Sequence, residues 1–210
     1  MASELTRLEA VNLILASSDM MPVTTIAAGT TAEATLAVQQ LDTSHREVLN
    51  EGWHWNTEYE VSLEADAITN KVALPADVLR FDPREVPYFI ARGRFIYDRL
   101  NKQYEIGEAV KGTAIYYLEW DDLLEEVKTY ITKKSARRFH EYHVGTDDAA
   151  QSLIMDEREA RRLILDGDLD AGAYSMFDSP DMHAGLSMGS PYTGSAAFFG
   201  NDPFKSRDPK

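Results

Sequence analysis

The sequence has 210 residues, of which 21 are Lys or Arg and 35 are Asp or Glu, and its formal net charge is −14 at pH 7. Nucleic-acid binding is driven by neutralisation of phosphates with lysine and arginine, so this balance argues against uniform attraction to DNA or RNA. The sequence contains no cysteine, which excludes disulfide bonds and thiolate metal sites. We expect an acidic, soluble chain able to bury a core, without a signal peptide or the roughly 20 consecutive apolar residues of a membrane span.

Two amphipathic helices are predicted in residues 1–52. The first covers residues 4–17, with Ser3 as its N-cap. The second follows Thr30 as its N-cap, has Glu33 in the capping-box position, and ends at Gly52. Their apolar faces consist of Leu5, Leu8, Val11 and Leu15 in the first helix and of Ala34, Ala37, Val38, Leu41, Val48 and Leu49 in the second. We expect these faces to pack against the apolar faces of two further helices later in the chain.

Short strands are predicted between residues 53 and 119. Residues 53–64 alternate between apolar and polar, which indicates a half-buried strand whose outer face carries Glu58, Glu60 and Glu64. Trp53 and Trp55 then point towards the core rather than stacking a base or a sugar. Further strands are expected at 71–74, 88–91, 95–97 and 113–119, with a hairpin turn at residues 92–93. Prolines confine residues 76–86 to loop and strand-edge roles.

An antiparallel helical hairpin is predicted in residues 120–166. Asp121 or Asp122 can cap its first helix, with Glu125 in the capping-box position relative to Asp122, and Gly145 ends it. Thr146 caps the second helix, which we expect to end at Gly167. The apolar stripes are Leu123, Val127, Tyr130, Ile131, Phe139 and Tyr142, then Ala150, Leu153, Ile154, Ala160 and Ile164. Both helices carry acidic residues at their start and basic residues later, as the helix dipole favours.

The predicted fold is α+β: a four-helix bundle-like layer with an inserted small antiparallel β-sheet and an extended C-terminal arm. Residues 1–52 and 120–166 form the bundle, residues 53–119 the insert, and residues 167–210 the arm. The arm holds 6 of the 12 glycines and 4 of the 8 prolines, and its apolar residues have no helical period. Such a segment is interpreted either as a strap that orders on another surface, which we favour, or as a disordered tail.

Basic residues cluster on both helices of the hairpin: Lys133, Lys134, Arg137 and Arg138 on the first, and Arg158, Arg161 and Arg162 on the second. One interpretation is a contact surface for DNA or for an acidic partner. The other, favoured on general grounds, is a solvated face positioned by the helix dipole. Since the two clusters could merge into one surface, docking of a protein partner stays open.

Catalytic and metal sites are weakly supported. His140 and His143 are three residues apart, whereas the metalloprotease helix motif needs histidines four apart, so a surface or interface role is preferred. Glu58, Glu60 and Glu64 have separations that overlap those of glycosidase carboxylate pairs. A row of exposed carboxylates, however, lacks the burial that raises the pKa of an acid catalyst. We therefore expect no enzymatic activity, no cofactor and no metal.

Several short segments occur in a familiar order and spacing: Val11–Ala16, Pro22–Val23, Gly52–Asn56, Ile96–Arg99, Tyr130–Phe139, Glu157–Leu163 and Gly172–Asp178. Together they resemble the tail tubular protein A family, the head-to-tail adaptors of short-tailed (podovirus-type) phages. The resemblance covers about residues 8 to 180, and the segment after Pro180 is longer than the family leads one to expect.

The resemblance implies a structural virion protein, made in the host cytoplasm, that forms a ring of twelve subunits at the head-tail junction. The helical bundle would bind the portal protein, the sheet would face the tail nozzle protein, and genomic DNA would pass through without specific binding or any membrane contact. Portal contacts would come from the seven basic residues of the hairpin and from Tyr174, Met176 and Phe177 of the arm. Glu58, Glu60 and Glu64 would face the nozzle or the lumen.

Two alternatives to an adaptor remain at this stage. A tail-associated polysaccharide or peptidoglycan hydrolase would require a pair of buried carboxylates in a cleft. A DNA-binding completion factor would be supported by the basic helix faces and opposed by the net charge.

Overall fold

The computed structural model describes residues 4–27 and 31–172, with side chains as far as Leu169. The helices are α1 (Arg7–Ala16), α2 (Ala32–Asn50), α3 (Glu125–His143) and α4 (Asp148–Gly172). The strands are β1 (Thr57–Leu63), β2 (Val78–Pro83), β3 (Phe89–Arg92), β4 (Phe95–Asp98) and β5 (Val110–Tyr116). One 3₁₀ turn, His54–Asn56, precedes β1, and another, Trp120–Asp122, precedes α3. The predicted α+β class is confirmed.

The helical core is built around α3. Tyr130 and Ile131 of α3 are fully buried among side chains from the other three helices. The main buried contributors are Val11, Ile14 and Leu15 of α1, Leu41, Val48 and Leu49 of α2, and Ala160 and Ile164 of α4. In α1, α2 and α4 the buried apolar residues have the spacing that the sequence predicts. In α3, Tyr142, which was assigned to the apolar stripe, is 80% exposed. The stripe therefore ends at Phe139.

The strands form a three-stranded antiparallel sheet in the order β1-β5-β2 and a separate β3-β4 hairpin. They enclose a second apolar cluster that includes Val72, Phe81 and Ile96. The predicted strand from Trp53 starts only at Thr57, because residues 54–56 form the 3₁₀ turn. A bulge between Glu58 and Val61 then breaks the alternation, so Tyr59, expected inside, is 52% exposed.

Three details of the strand region refine or correct the sequence-based prediction. Residues 78–83 form a strand, β2, which pairs with β5 at the edge of the sheet, where the terminal Pro83 is tolerated. Residues 71–74, expected to be a strand, make only isolated bridges, to Ala65, Glu105 and Phe95. The β3-β4 turn consists of residues 93–94 rather than 92–93.

Helix boundaries also differ from the expected ones. The N-caps are Thr6, whose side chain forms a capping box with Glu9, and Thr31. α3 starts after Leu124 without a side-chain cap, so the capping box predicted from Asp122 is wrong. Asp147 rather than Thr146 accepts the Ala150 N–H, at 2.8 Å. Gly52 does end α2 in the left-handed conformation, with φ of 82°.

α4 is longer than predicted. It continues through Gly167 to Gly172, so residues 167–172 belong to a helix and not to the predicted arm. One reason is a tertiary contact: the Asp168 carboxylate accepts the backbone N–H of His54 at 3.0 Å and contacts the Nδ1 of the same residue. This contact joins the end of α4 to the turn that leads into β1, and no local sequence pattern reports it.

No helix within the described part of the chain is long and apolar enough to cross a membrane.

Candidate assembly surfaces

The predicted basic cluster on α3 is largely turned towards carboxylates of the same chain. The ammonium of Lys134 lies 3.3 Å from Glu47 and 3.9 Å from Glu51, both on or next to α2, and its side chain is only 9% exposed. Arg138 binds Glu47 at 2.7 Å. Burial works to raise the pKa of Glu47, but hydrogen bonds and charge from Arg138 and Lys134 outweigh it and lower that pKa. Lys134 is thus a buried ion-pair partner that ties α3 to α2.

Arg137 and Arg161 link the hairpin in a similar way. Arg137 contacts Glu157 of α4 and lies 2.7 Å from Glu141. Arg161 donates to the Tyr130 hydroxyl at 3.2 Å and to Glu51 at 3.0 Å. The interpretation of the α3 cluster as a solvated face is therefore wrong for Lys134 and Arg137. The order of charged residues along each helix is visible in the sequence. The sequence does not show which carboxylates on other helices lie opposite the basic residues.

Three of the seven predicted cations remain directed at solvent or weakly paired. Among the described residues, Lys133 and Arg158 have no ion-pair partner. Arg162 lies 3.7 Å from Asp166 one turn along α4, and its side chain is 78% exposed.

The outer side of α4 carries a regular row of exposed residues, here called the α4 ridge: Met155, Arg158, Arg162, Leu165 and Leu169. Their spacing alternates between three and four residues, which aligns them along one side of a helix. Met155 is 69% exposed and Leu169 is 71% exposed. Ala160 and Ile164 on the opposite side are buried in the helical core. The exposed Glu159 and Asp166 lie on the same side of α4, so the ridge is an apolar face of mixed charge that the described part of the chain leaves uncovered.

A shallow groove lies between α1 and the start of α3, here called the α1–α3 groove, with a volume of about 460 Å³. It is lined by Leu5, Glu9, Asn12, Leu13 and Glu125. Leu13 is 53% exposed although it belongs to a helix that packs on the core. Two carboxylates therefore stand beside apolar side chains, which makes the lining of the groove acidic.

The lining of the groove is fixed by hydrogen bonds. Glu125 accepts the backbone N–H of Leu5 with both carboxylate oxygens, at 3.0 and 3.2 Å. Glu9 closes the capping box, and the hydrogen bonds from Thr6 lower its pKa, so the carboxylate stays charged. The amide of Asn12 clamps the following loop through the N–H and C=O of Val23, at 2.8 and 3.0 Å. These contacts hold the groove in one geometry.

The Asn12 clamp explains why the segments Val11–Ala16 and Pro22–Val23 occur together. Sequence reasoning noted both segments but missed the clamp. The sequence feature that could have revealed the clamp is Asn12, a polar residue within the apolar helical stretch Val11–Ala16.

The acidic row predicted on β1 is present but not regular. Glu58, Glu60 and Glu64 are all exposed. Glu60 adopts a positive φ of 57° at the bulge, which removes it from a simple row with the other two. The structure therefore places the three carboxylates on the exposed part of the sheet region, without the burial that acid catalysis needs.

His140 and His143 do not form a metal site. His140 is 4% exposed and hydrogen-bonds within the chain, so the expected surface or interface role is wrong for it. Within the residues that are described, no group of three or more metal-binding side chains occurs. Tyr174, Met176 and Phe177, predicted to contact the portal, lie outside the described residues.

The Gly52–Asn56 segment is a structural junction between the bundle and the sheet. Asn56 donates to the Leu49 carbonyl at 2.8 Å and to the Tyr116 carbonyl at 3.1 Å, and accepts the Trp53 N–H at 2.8 Å. The indole of Trp53 donates to the Val48 carbonyl at 2.8 Å. Trp53 is buried as predicted, and Trp55 stacks on it while half-buried. This segment positions the sheet and offers no binding platform.

Comparison with known proteins agrees with this structural picture. No curated protein gave a significant match. The sequence matches the family described as tail tubular protein over residues 8–174, most of its length. The match includes α1 from its second residue onward, α2 to α4, all five strands, the α4 ridge, and the groove except for Leu5. The chain therefore belongs to the tail tubular protein family, which makes it a structural component of a phage tail.

Proposed function

We propose that this tail tubular protein is the head-to-tail adaptor of a short-tailed phage, with twelve copies forming a ring between the portal protein and the tail nozzle protein. The observation that supports a ring subunit best is the pair of uncovered, unlike surfaces on one chain, the α4 ridge and the α1–α3 groove. A subunit with two different surfaces can associate head to side, which closes into a ring when the rotation allows.

The contacts to partners follow the division of the chain. The bundle binds the portal, and the sheet region with Glu58, Glu60 and Glu64 faces the nozzle or the lumen. Of the seven basic residues proposed for portal contact, Lys133, Arg158 and Arg162 are the direct contributors because they have little or no pairing within the described chain. Lys134, Arg137, Arg138 and Arg161 act mainly by holding α2, α3 and α4 in place.

Passage of DNA through the ring fits the charge of the subunit. With a net charge of −14 per chain, a ring of twelve repels duplex phosphates instead of retaining them. Genomic DNA would slide past without specific binding. The alternative of a polysaccharide or peptidoglycan hydrolase gains no support from the family, which is structural.

The proposal is tested by electron microscopy of the purified chain mixed with the portal protein of the same phage, with the portal alone as control. The expected result is an added collar of twelve subunits on the side of the portal that faces the tail. Light scattering of the chain alone should give mainly monomer at micromolar concentration, because self-repulsion opposes ring closure without the portal as a template. Failure of the chain to bind the portal would overturn the proposal. Stable dodecamers without portal would show that no template is needed.

A further inference from the structure

We propose that His45 of α2 is an acid-sensitive latch: its neutral ring holds the β5–α3 connection, residues 117–124, against α2, and its protonated ring releases that connection. The β5–α3 connection is one of the two stretches of chain that join the sheet region to the helical bundle, and Gly52–Asn56 is the other. The latch acts within one subunit, so it does not depend on the proposed ring.

The ring of His45 packs against two aromatic residues of the β5–α3 connection. His45 is only 3% exposed. Its ring lies 5.1 Å from the ring of Tyr117 and 5.8 Å from the ring of Trp120, which it meets edge-on. Trp120 is itself buried, and its indole donates a hydrogen bond to the Leu5 carbonyl at 3.0 Å. The imidazole therefore fills the space between α2 and the connection.

The polar surroundings of His45 favour a neutral ring. Nδ1 lies 3.4 Å from the Tyr117 hydroxyl, whereas Nε2 is buried without a hydrogen-bond partner among the described residues. Burial raises the pKa of Tyr117, so the hydroxyl stays neutral. A ring with its proton on Nδ1 donates to that hydroxyl and leaves Nε2 unprotonated. A second proton would place a charge and an unsatisfied N–H in the buried space, and both are unfavourable.

The charges around His45 do not offset this burial. Burial lowers the pKa of His45, and Asp42, one turn earlier on α2, acts in the opposite direction. The Asp42 carboxylate is also bound by Arg7 of α1. Arg7 and Arg46 further lower the pKa of His45, and the Leu118 carbonyl raises it. The net effect is a lowered pKa, so the ring takes up its second proton only in acid.

The latch should open as the pH falls. Because the folded state keeps the ring neutral, the contact is fully present above the usual histidine value of about 6.5 and weakens below it. The charged ring regains water only by leaving the space beside Tyr117 and Trp120, which removes the packing on the connection. His140 has the opposite dependence, because its hydrogen bond to Asp147 raises its pKa. Loosening in acid therefore cannot come from His140.

Hydrogen exchange of the full-length chain, followed by NMR at pH values of about 7.5 and 5.5, tests the latch. The N–H groups of Tyr117, Asp122 and Leu123 are hydrogen-bonded and report on the connection. The N–H of the buried Ile131, within α3, reports on the helical core. After correction for the intrinsic effect of pH on exchange, protection of the connection should fall by up to about tenfold, the linkage limit one pH unit below the usual histidine value. Protection at Ile131 should change much less.

Two histidine variants assign the response to His45. His45→Gln removes the titratable ring and keeps a side chain that can hydrogen-bond to the Tyr117 hydroxyl. Protection of the connection in this variant should be nearly the same at both pH values. His143→Gln is the matched control, since His143 is half-buried and lies at the last residue of α3. It should keep the wild-type response.

Two charge variants should move the opening in opposite directions. Asp42→Asn removes a carboxylate that favours the charged ring, so the pKa of His45 and the pH of opening should both fall. Arg46→Gln removes a charge that disfavours the charged ring, so both should rise. Both residues are exposed, which favours retention of the fold. NMR titration of the His45 ring in these variants and in wild type keeps the test valid even if His45→Gln does not fold.

An equal loss of protection in wild type and His45→Gln would overturn the latch. So would an equal loss at Ile131, which would indicate general destabilisation instead of release of the connection. A wild-type His45 ring that titrates at or above the usual value of about 6.5 would overturn it as well. Because no portal is present in these measurements, their outcome leaves the proposed adaptor function to its own test.

Discussion

His140 of α3 and Asp147, the N-cap of α4, are joined by a hydrogen bond of 3.0 Å from Nε2 to the carboxylate. The other ring nitrogen of His140 lies 2.6 Å from the carbonyl oxygen of Ser17, at the end of α1. A carbonyl and a carboxylate are both acceptors, so both contacts are satisfied as hydrogen bonds only when both ring nitrogens carry a proton. The same Asp147 oxygen accepts the Ala150 N–H. One buried imidazole therefore joins the ends of three helices.

Stability should depend on the protonation of this pair. The hydrogen bond to Asp147 raises the pKa of His140 above its usual value. The pKa of Asp147 is lowered, chiefly by the hydrogen bond from the Ala150 N–H and next by the hydrogen bond from His140. A raised histidine pKa stabilises the fold fully below the usual histidine value of about 6.5, and this contribution is lost as the pH rises through the raised value. The Asp147 contribution is present above the usual carboxyl value and is lost as the pH falls.

Denaturant melts of wild type and His140→Gln at several pH values should therefore converge as the pH rises from about 6 to 9. NMR titration gives a second test: Asp147→Asn retains the helix cap but removes the negative charge, so the pKa of His140 should fall. Asp19 also contributes to the raised pKa, so Asp19→Asn should lower it by less than Asp147→Asn does. A constant stability difference between wild type and His140→Gln at all pH values would contradict the protonated pair.

Reversal of charge at Lys134 should destabilise the fold and not only weaken partner binding. Lys134→Glu would place a third carboxylate beside Glu47 and Glu51, and we expect a loss of about 3 kcal/mol, the lower end of the cost of breaking a buried ion pair. The loss of stability should lie at that lower end because Glu47 and Glu51 are partly exposed, so water screens the repulsion. Lys133→Glu is the matched control, half-buried on the same helix, and should cost much less in urea melts. Equal losses for the two variants would show that Lys134 is not specially held.

The two neighbouring tryptophans should differ in their effect on stability. Trp53 is 5% exposed and its indole is hydrogen-bonded, so Trp53→Ala should cost about 3–5 kcal/mol. Trp55 is half-buried, and Trp55→Ala should cost about 1–2 kcal/mol because less apolar area is exposed by its removal. Thermal or denaturant melts measure both. A larger loss for Trp55 would reverse the assigned order of burial.

Replacement of Gly52 should be more damaging than replacement of another glycine with the same backbone geometry. A Cβ at Gly52 would lie 2.6 Å from Cδ1 of Ile115, and φ is 82°. Gly107 has φ of 73° but open space around its Cα, so Gly107→Ala carries only the conformational cost of about 1 kcal/mol. Gly52→Ala should therefore cost clearly more in the same melts. Equal costs would mean that Ile115 moves aside freely.

Free duplex DNA should bind weakly at physiological salt. The net charge is −14, and five of the seven hairpin cations already have carboxylate partners in the same chain. Fluorescence anisotropy with a labelled duplex would measure the affinity over a range of salt concentrations. A submicromolar affinity that falls steeply with salt would indicate several phosphate contacts and contradict this expectation.

Local patterns predicted the elements better than their ends. Helical spacing identified α1 to α3 and the start of α4, and the positive φ of Gly52 was anticipated from its place after α2. Strand β2 was missed because prolines bracket it, although a proline is acceptable where an edge strand ends. Gly167 was taken as a helix end because glycine favours that position, but the contact of Asp168 with His54 extends α4 beyond it.

The sequence by itself determined the α+β class, the acidic character and the pairing of α3 with α4, because periodicity and charge are properties of the chain. Only the tertiary structure decided what the basic residues do. Lys134 and Arg137 were visible as a charged run, but the glutamates opposite them come from α2 and α4, and their positions depend on how the helices pack. The α4 ridge and the α1–α3 groove are likewise defined by what packing leaves exposed, which no single segment of sequence records.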